Sequence, residues 1–414
     1  MNITILTSVY DPEPVVSARI AKDIAHGLTE QNHKVNVICP FPSRPKGEIF
    51  DGYRRTIWKK DSSVNSFNLI RLFSFISPKS TFLSRFLENI SFGITSSLYL
   101  LFVQKKPDVL FLNTWPIFAV YLNISVARIR GIKIVRSIQD IYPETLLSQK
   151  RLAKNNALYK FLGLLERYNY KNSNLNITIS EKMRSVIYSR YPDLPPPLVV
   201  ANWHTISAQS EKIFNRSDIN KNLSNSDTVY LYGGNISTAS NVIGLVKCFN
   251  DFSFDKENAK LVIAGSGPLY NDCSKLVQSL GAQDHIFFHS PWEPNNTLPI
   301  LEMADILLLP TDNEQAIYSV PSKIISYMTS SRPILGFGAI DSELESLISL
   351  SGCGWFYLSN NEREMRSGLQ KAYESSDQER LLKGLNGYTF MSNNLCKEAN
   401  LKKIIHNILM ITND

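Results

Sequence analysis

Ala304-Asp-Ile-Leu-Leu-Leu-Pro310 and, one polar loop later, Tyr318-Ser-Val-Pro-Ser-Lys-Ile-Ile-Ser-Tyr-Met-Thr-Ser-Ser-Arg-Pro-Ile-Leu335 decide how this chain is read. The apolar run from Ile306 to Leu309 predicts a parallel strand buried on both faces. Thr311 to Ser319 predicts a polar loop, and Pro321 suits the first position of a helix. Ser322 can cap that helix, which puts Lys323 in its first turn. A helix start offers free N–H groups and a positive potential, so a lysine there opposes the dipole unless an anion joins it. Strand, loop, helix start, hydroxyl and lysine together suggest a phosphate or diphosphate site. The plain alternative is an ordinary strand–loop–helix connection with a solvated lysine. On local chemistry the two stand level.

Working outward, the same alternation recurs in both directions. Asn2 to Val9 reads as a strand, Ser17 to Thr29 as an amphipathic helix and Val35 to Cys39 as a second strand. Further strands are expected at Pro107–Leu112, Lys133–Arg136, Leu175–Ile179 and Leu198–Val200. The alternation restarts with Thr228–Tyr232, Lys260–Ala264 and His285–Phe288, and continues past Leu309 with Arg332–Gly336 and Gly352–Tyr357. This pattern predicts an α/β protein with two doubly wound parallel sheets. The expected division is 1–206, a polar linker over 207–226, a second domain over 227–390 and a C-terminal helical segment over 391–414.

Composition narrows the partners. With 414 residues, 43% of them hydrophobic, the chain can build two full cores. A formal net charge of +7 favours anionic partners. No compact Arg/Lys cluster is interleaved with aromatics, which argues against nucleic acid. The five cysteines are scattered without a Cys-x-x-Cys pair, and the six histidines lack ligand spacing. A reducing cytoplasm and no metal site are expected. The start lacks a basic n-region, so no signal peptide is expected, nor any segment apolar enough to span a bilayer. Thr81 to Val103 is rich in Phe, Leu and Ile and flanked by Lys79, Lys105 and Lys106, with Arg85 near its start. It is expected to pack on a sheet; the alternative is a helix lying on a membrane surface.

Ligands of doubly wound sheets bind beyond the carboxyl ends of the strands. In the second half those positions hold Gly233-Gly-Asn235, Gly265-Ser-Gly-Pro268, Trp292, and Ser322 with Lys323. Glycine lets backbone approach a ligand closely and expose its N–H groups. In the first half they hold Glu13, Arg19, Asn113, Trp115, Asp140 and Glu144, polar or aromatic groups suited to a polyhydroxylated or charged substrate. Asp140 and Glu144 read equally as a carboxylate pair or as caps and loop anchors.

These motifs carry a resemblance. Gly265-Ser-Gly-Pro268, Asp305 to Pro310 and Pro321 to Leu335 resemble the C-terminal domain of the retaining GT-B glycosyltransferases of family 4. Tyr10-Asp-Pro-Glu-Pro-Val-Val-Ser-Ala-Arg-Ile20, Gln139-Asp-Ile-Tyr-Pro-Glu144, Ala201-Asn-Trp203 and Val320-Pro-Ser-Lys323 resemble its bacterial O-antigen and colanic acid branch, which includes N-acetyl-L-fucosamine transferases. The resemblance implies two Rossmann-like domains facing across a cleft. It implies a UDP-sugar as donor substrate, a lipid-linked oligosaccharide as acceptor, no cofactor, and work at the inner face of an anionic membrane. Its implied catalytic groups are Lys323, Arg19, Asp140 and Glu144. The donor diphosphate would lie on Gly233, Gly234, Asn235, Ser322 and Lys323. The nucleotide would lie on Gly265, Ser266, Gly267, Pro268, Trp292, Glu314 and Ser326, and the acceptor on Glu13, Ser17, Asn113 and Trp115. One departure stands out. The family's two glutamates fall on Tyr318 and Ser326, so the usual ribose carboxylate is absent. That departure motivates a degenerate nucleotide-sugar-binding protein as one alternative; a UDP-sugar 2-epimerase on the same fold is another.

Overall fold

A computed structural model describes residues 1–44, 46–61, 66–79, 81–113, 116–142, 157–203, 214–290, 296–311 and 323–412. The chain divides into two compact units: unit 1 is Met1–Trp203 with Lys397–Asp414, and unit 2 is His204–Cys396.

Unit 1 begins β1 (Asn2–Thr7), α1 (Val16–Glu30), β2 (Lys34–Pro40), β3 (Trp58–Asp61), β4 (Asn68–Leu72) and α2 (Phe82–Leu98). It continues β5 (Val109–Asn113), α3 (Ile117–Ile129), β6 (Lys133–Ile138), α4 (Ala157–Lys171), β7 (Leu175–Thr178), α5 (Glu181–Arg190) and β8 (Leu198–Val199). The described strands form one eight-stranded sheet in the order β3-β4-β2-β1-β5-β6-β7-β8. Every adjacent pair is parallel except β3–β4. Antiparallel β3, Trp58-Lys-Lys-Asp61, closes that edge with charged side chains, which discourage pairing with another chain. Winding reverses between β1 and β5, so α1 lies on one face of the sheet and α2 and α3 on the other. Ile20, Ala21, Ile24, Ala25 and Leu28 of α1 are buried at helical spacing against Ile3, Ile5, Val35 and Val37.

Helix α2 runs on through one π-helical turn, Tyr99–Val103. The stretch Leu83–Val103 is long and apolar enough by length and composition to cross a bilayer, a correction to the expectation that no such segment exists. Its inner face is packed: Phe92 and Leu100 join α3 residues Ala119, Val120 and Ile124 in one cluster. It is therefore a helix on the sheet, as expected, but with one apolar face uncovered.

Unit 2 holds α6 (Arg216–Ile219), β9 (Thr228–Gly233), α7 (Val242–Ser253), β10 (Ala259–Ala264), α8 (Tyr270–Ser279), β11 (Ile286–His289) and α9 (Thr297–Glu302). Then come β12 (Ile306–Pro310), α10 (Lys323–Thr329), β13 (Ile334–Gly338), α11 (Glu343–Ser351), β14 (Gly354–Leu358), α12 (Glu362–Tyr373) and α13 (Asp377–Phe390). The described strands form a six-stranded sheet, β11-β10-β9-β12-β13-β14, parallel throughout. Its winding reverses between β9 and β12, the crevice where such sheets bind ligands. Part of the stretch read as linker is tied to this unit. Arg216 holds both oxygens of Asp305 at 2.9 and 2.8 Å and donates to the Asp227 carbonyl at 2.7 Å.

The last helix, α14 (Lys397–Met410), packs on unit 1, where Ile404, Ile405 and Ile408 enter the cluster under α1. Asp23 of α1 holds both chain crossings. Its carboxylate accepts from Trp203 Nε1 at 2.8 Å and from Lys397 Nζ at 2.6 Å. These residues are the last of unit 1's first segment and the first of its second. Asp23→Ala removes both bonds to a charged acceptor and leaves the buried indole N–H unpaired. The expected loss is about 1.5–3 kcal/mol of unit 1 stability, read as a lower urea midpoint by tryptophan fluorescence. An unchanged midpoint would show that the two crossings are held by apolar packing alone.

Candidate active site

In unit 2 the site grows from β9. Tyr232 is its penultimate residue and is fully buried. The Tyr232 hydroxyl donates to the Asn235 carbonyl at 2.6 Å and accepts from Lys323 Nζ at the start of α10. That ammonium also lies 4.3 Å from the Tyr232 ring centroid. Burial pushes the Tyr232 phenol up to about 12, so it stays protonated and can do both jobs. One turn further along α10, the Tyr327 hydroxyl accepts from Gly233 N at 2.7 Å and lies 3.2 Å from the Gly233 and Leu308 carbonyls. It thereby joins the carboxyl ends of β9 and β12. Neither tyrosine was singled out from the sequence; the legible signal was a tyrosine directly before the Gly-Gly pair.

The glycines serve by lacking Cβ atoms. Gly234 has φ +135°, and a Cβ there would lie 2.4 Å from Lys323 Cε. Gly265, with φ +143°, would place one 2.0 Å from the Gly234 carbonyl oxygen, and Gly267 one 2.3 Å from that of Ile236. The Gly233 N–H goes to Tyr327, that of Gly234 to the Ala264 carbonyl at 2.8 Å, and that of Gly265 to the His289 carbonyl at 3.0 Å. For Gly233, Gly234 and Gly265 this corrects the expectation that the glycines present free N–H groups. The turn also satisfies the Ile236 N–H, which reaches the Ser266 carbonyl at 2.9 Å. The structure thus brings Gly233, Gly234, Asn235, Gly265, Ser266, Gly267 and Lys323 to one edge, with Ser326 one turn along α10 and Pro268 leading into α8. Trp292, Glu314 and Ser322 lie outside the described residues.

Lys323 is half-buried, and among the described residues no carboxylate pairs with it. Burial lowers its ammonium from 10.5 to about 8. The sign follows. Below about pH 8 the folded protein carries the cost of a poorly solvated cation, and that cost is relieved as pH rises from 8 towards 10.5. A bound anion reverses the preference, since it favours the charged lysine. Affinity for a diphosphate anion at this lysine is therefore expected to be highest below pH 8 and to fall above it, by at most about tenfold per pH unit for one proton. Calorimetric titration across that range should show proton uptake on binding; a flat profile would mean that Lys323 does not meet the anion.

In unit 1 the described candidates sit at the carboxyl edge of β1, β5 and β6, which are neighbours. Glu13 is buried, and its carboxylate accepts from the backbone N–H of Tyr10 at 3.1 Å, Ser43 at 3.0 Å and Arg44 at 2.9 Å. It organises the loop after β1, while Arg71 reaches the Asp11 carbonyl of that loop at 2.7 Å. Asn113, last in β5, donates to the Ser17 carbonyl of α1 at 3.1 Å, and its own side-chain oxygen has no partner among the described residues. Asp140 follows β6, half-buried, with its carboxyl raised by that burial. Arg19 is exposed on the first turn of α1 and makes no ion pair among the described residues. Trp115 and Glu144 lie outside the described residues.

Comparisons with known proteins agree with this architecture. Residues 214–383 match the model for glycosyl transferases group 1, and residues 17–202 that for Glycosyltransferase Family 4. The probable glycosyltransferase WbjE of Pseudomonas aeruginosa is 23% identical over 285 residues, 67% of this chain and 69% of that protein. Sucrose-phosphate synthase from Thermosynechococcus elongatus superposes with a TM-score of 0.73 over 99% of both chains at 12% identity. HepE of Anabaena, solved in complex with UDP, superposes with 0.65 over 99% of this chain and all of that one, again at 12%. Two doubly wound units with these matches define a glycosyltransferase of the GT-B fold. The chain is a glycosyltransferase whose first unit matches the Family 4 model and whose second matches the group 1 model.

Proposed function

We propose that this glycosyltransferase moves a sugar from a UDP-sugar onto a lipid-linked oligosaccharide, with retention of anomeric configuration, in O-antigen or capsular polysaccharide assembly. The observation that carries the donor assignment is Lys323, held by Tyr232 beside Gly234 with no carboxylate among the described residues to neutralise it. Such a cation suits the diphosphate, and HepE's complex with UDP supports uracil as the base. As the bond from the anomeric carbon to the diphosphate breaks, its electron pair moves to the phosphate oxygen. Lys323 stabilises that developing charge from a fixed position. The acceptor hydroxyl attacks from the same face and gives its proton to the departing diphosphate. No metal or cofactor takes part in this scheme. Unit 1 contributes Arg19, Asn113 and Asp140 to the acceptor, with the raised Asp140 carboxyl available to hydrogen-bond a sugar hydroxyl. An N-acetylated amino sugar, N-acetyl-L-fucosamine first, is the donor group that the sequence motifs favour. The enzyme would work on the cytoplasmic face of the membrane that holds its acceptor.

A thermal-shift screen of the purified protein against UDP, GDP, ADP, dTDP and UDP-N-acetyl sugars tests this. Ligand at 100 times its dissociation constant should add about 2.7 kcal/mol of stability. A selective UDP response is expected. Selective stabilisation by another base would overturn the donor assignment, and a product epimerised without any acceptor would overturn the transfer reaction.

A further inference from the structure

A second charged feature lies in unit 1, at the amino ends of β1, β2 and β4, opposite the strand edge that carries Asn113 and Asp140. A groove of ≈ 810 Å³ opens there, with Lys34, Lys60 and Lys105 on its walls. All three lysines are exposed, and among the described residues none has a carboxylate within ion-pair distance. Among the described residues the one acidic side chain lining the groove, Asp61, is held by Arg71 at 2.6 Å. The floor is a ladder of amides: Asn36 donates to Asn2 at 3.0 Å and Asn68 to Asn36 at 3.0 Å. A polar floor under three unmatched cations suits a phosphate-bearing group that also carries hydroxyls.

What adjoins the groove selects among such groups. Val103 lines it, 54% exposed, and the neighbouring Phe102 is 76% exposed. Arg130, at the end of α3, donates to the Leu100 carbonyl, which brings Ile129, 79% exposed, to the same end of the unit. Lys106 and Arg128 are exposed there as well. From this end a row of exposed Leu98, Ile94, Leu87 and Leu83 runs back along α2. Large apolar side chains left in water beside unpaired cations match a bilayer interface, where the apolar groups enter the acyl layer and the lysines meet phosphates. A free phosphate or sugar phosphate would use the lysines and leave the apolar row unexplained.

We propose that this edge binds an anionic phospholipid of a bilayer surface, with the headgroup in the Lys34–Lys60–Lys105 groove and Phe102, Val103 and Ile129 in the acyl region. This rests on the reading of the enzyme as one that works at an anionic membrane, and adds to it the face and the groove that meet the lipid.

The test is flotation of the full chain with phosphatidylcholine vesicles, with and without phosphatidylglycerol. Lys34→Ser/Lys60→Ser/Lys105→Ser is compared with the matching triple arginine variant and with Phe102→Ser/Val103→Ser. UDP-induced thermal shift, read in parallel, reports the donor site separately. The wild type is expected to float only with the anionic vesicles and to dissociate as salt rises. Partition of the triple serine variant should weaken about a hundredfold, each lysine near the surface being worth about a factor of five, while the arginine variant binds and both keep the UDP response. Serine-variant binding equal to wild type, salt-independent binding, equal binding to neutral vesicles, or displacement by inorganic phosphate with no vesicle binding would each overturn the proposal. Loss of the UDP response in the wild type would instead strike the donor assignment.

Discussion

Lys323→Ala is expected to fold normally and to lose about 2.7–4 kcal/mol of transition-state stabilisation, a hundredfold to a thousandfold in kcat. The lysine is half-buried without a carboxylate partner among the described residues, so its removal breaks no ion pair there. Truncation also relieves the desolvated ammonium, so below pH 8 the ligand-free variant should melt at or above the wild-type temperature. Loss of transfer with gain of stability is a combination that a structural lysine would not give. The decisive measurement is UDP-sugar turnover beside a melting curve on the same preparation. Turnover near wild type would show that the diphosphate lies elsewhere. Tyr232→Phe is the graded counterpart: it keeps the ring beneath the ammonium and removes the hydroxyl that holds it.

Gly265→Ala should have the other large effect, by a different route. At φ +143° an L-residue pays about 1–3 kcal/mol for the backbone conformation alone. The new methyl would also stand 2.0 Å from a backbone oxygen, Gly234 O, which has no flexible side chain to move. The β10 turn must therefore retreat from the β9 turn, which the Gly234 N–H bond to Ala264 resists. Unit 2 is expected to lose its nucleotide response and part of its stability, while the β-sheet of unit 1 is untouched. Urea unfolding followed by hydrogen exchange on residues 228–236 and 259–268 would read this. Full nucleotide binding by the variant would mean that these turns are separable and that their close approach is incidental.

The strands on either side of Lys323 were readable because central parallel strands are continuous apolar runs, as in Ile306 to Leu309. Other parts were not readable, for identifiable reasons. Strand β3 carries Lys59 and Lys60 in a four-residue edge segment, so alternation is too short to register. Helix α13 buries Gly384 and Gly387 against its neighbours; a Cβ at Gly384 would lie 1.9 Å from the Ser331 carbonyl. A face made of glycines leaves no hydrophobic period to count. Residues 214–227 are polar through a hydrogen-bonded network on Asp305, and polarity by itself resembles a linker.

In the site, Lys323, the Gly-Gly pair and Gly265 stood out from sequence because a cation and glycines after strands are chemically conspicuous. Their partnership did not, since Tyr232 lies 91 positions before Lys323 and a buried tyrosine in a strand reads simply as core. By itself the sequence determined the alternation of elements, hence two doubly wound sheets and the strand ends where ligands can bind, because local periodicity and chain connectivity are written residue by residue. Only the tertiary structure decided that the glycines act through missing side chains, that Glu13 is occupied by three backbone N–H groups, that Asp23 holds both chain crossings, and that one face of α2 stays uncovered beside three lysines. Each of these depends on what stands within a few ångströms across the fold, and the order of residues along the chain does not carry that distance.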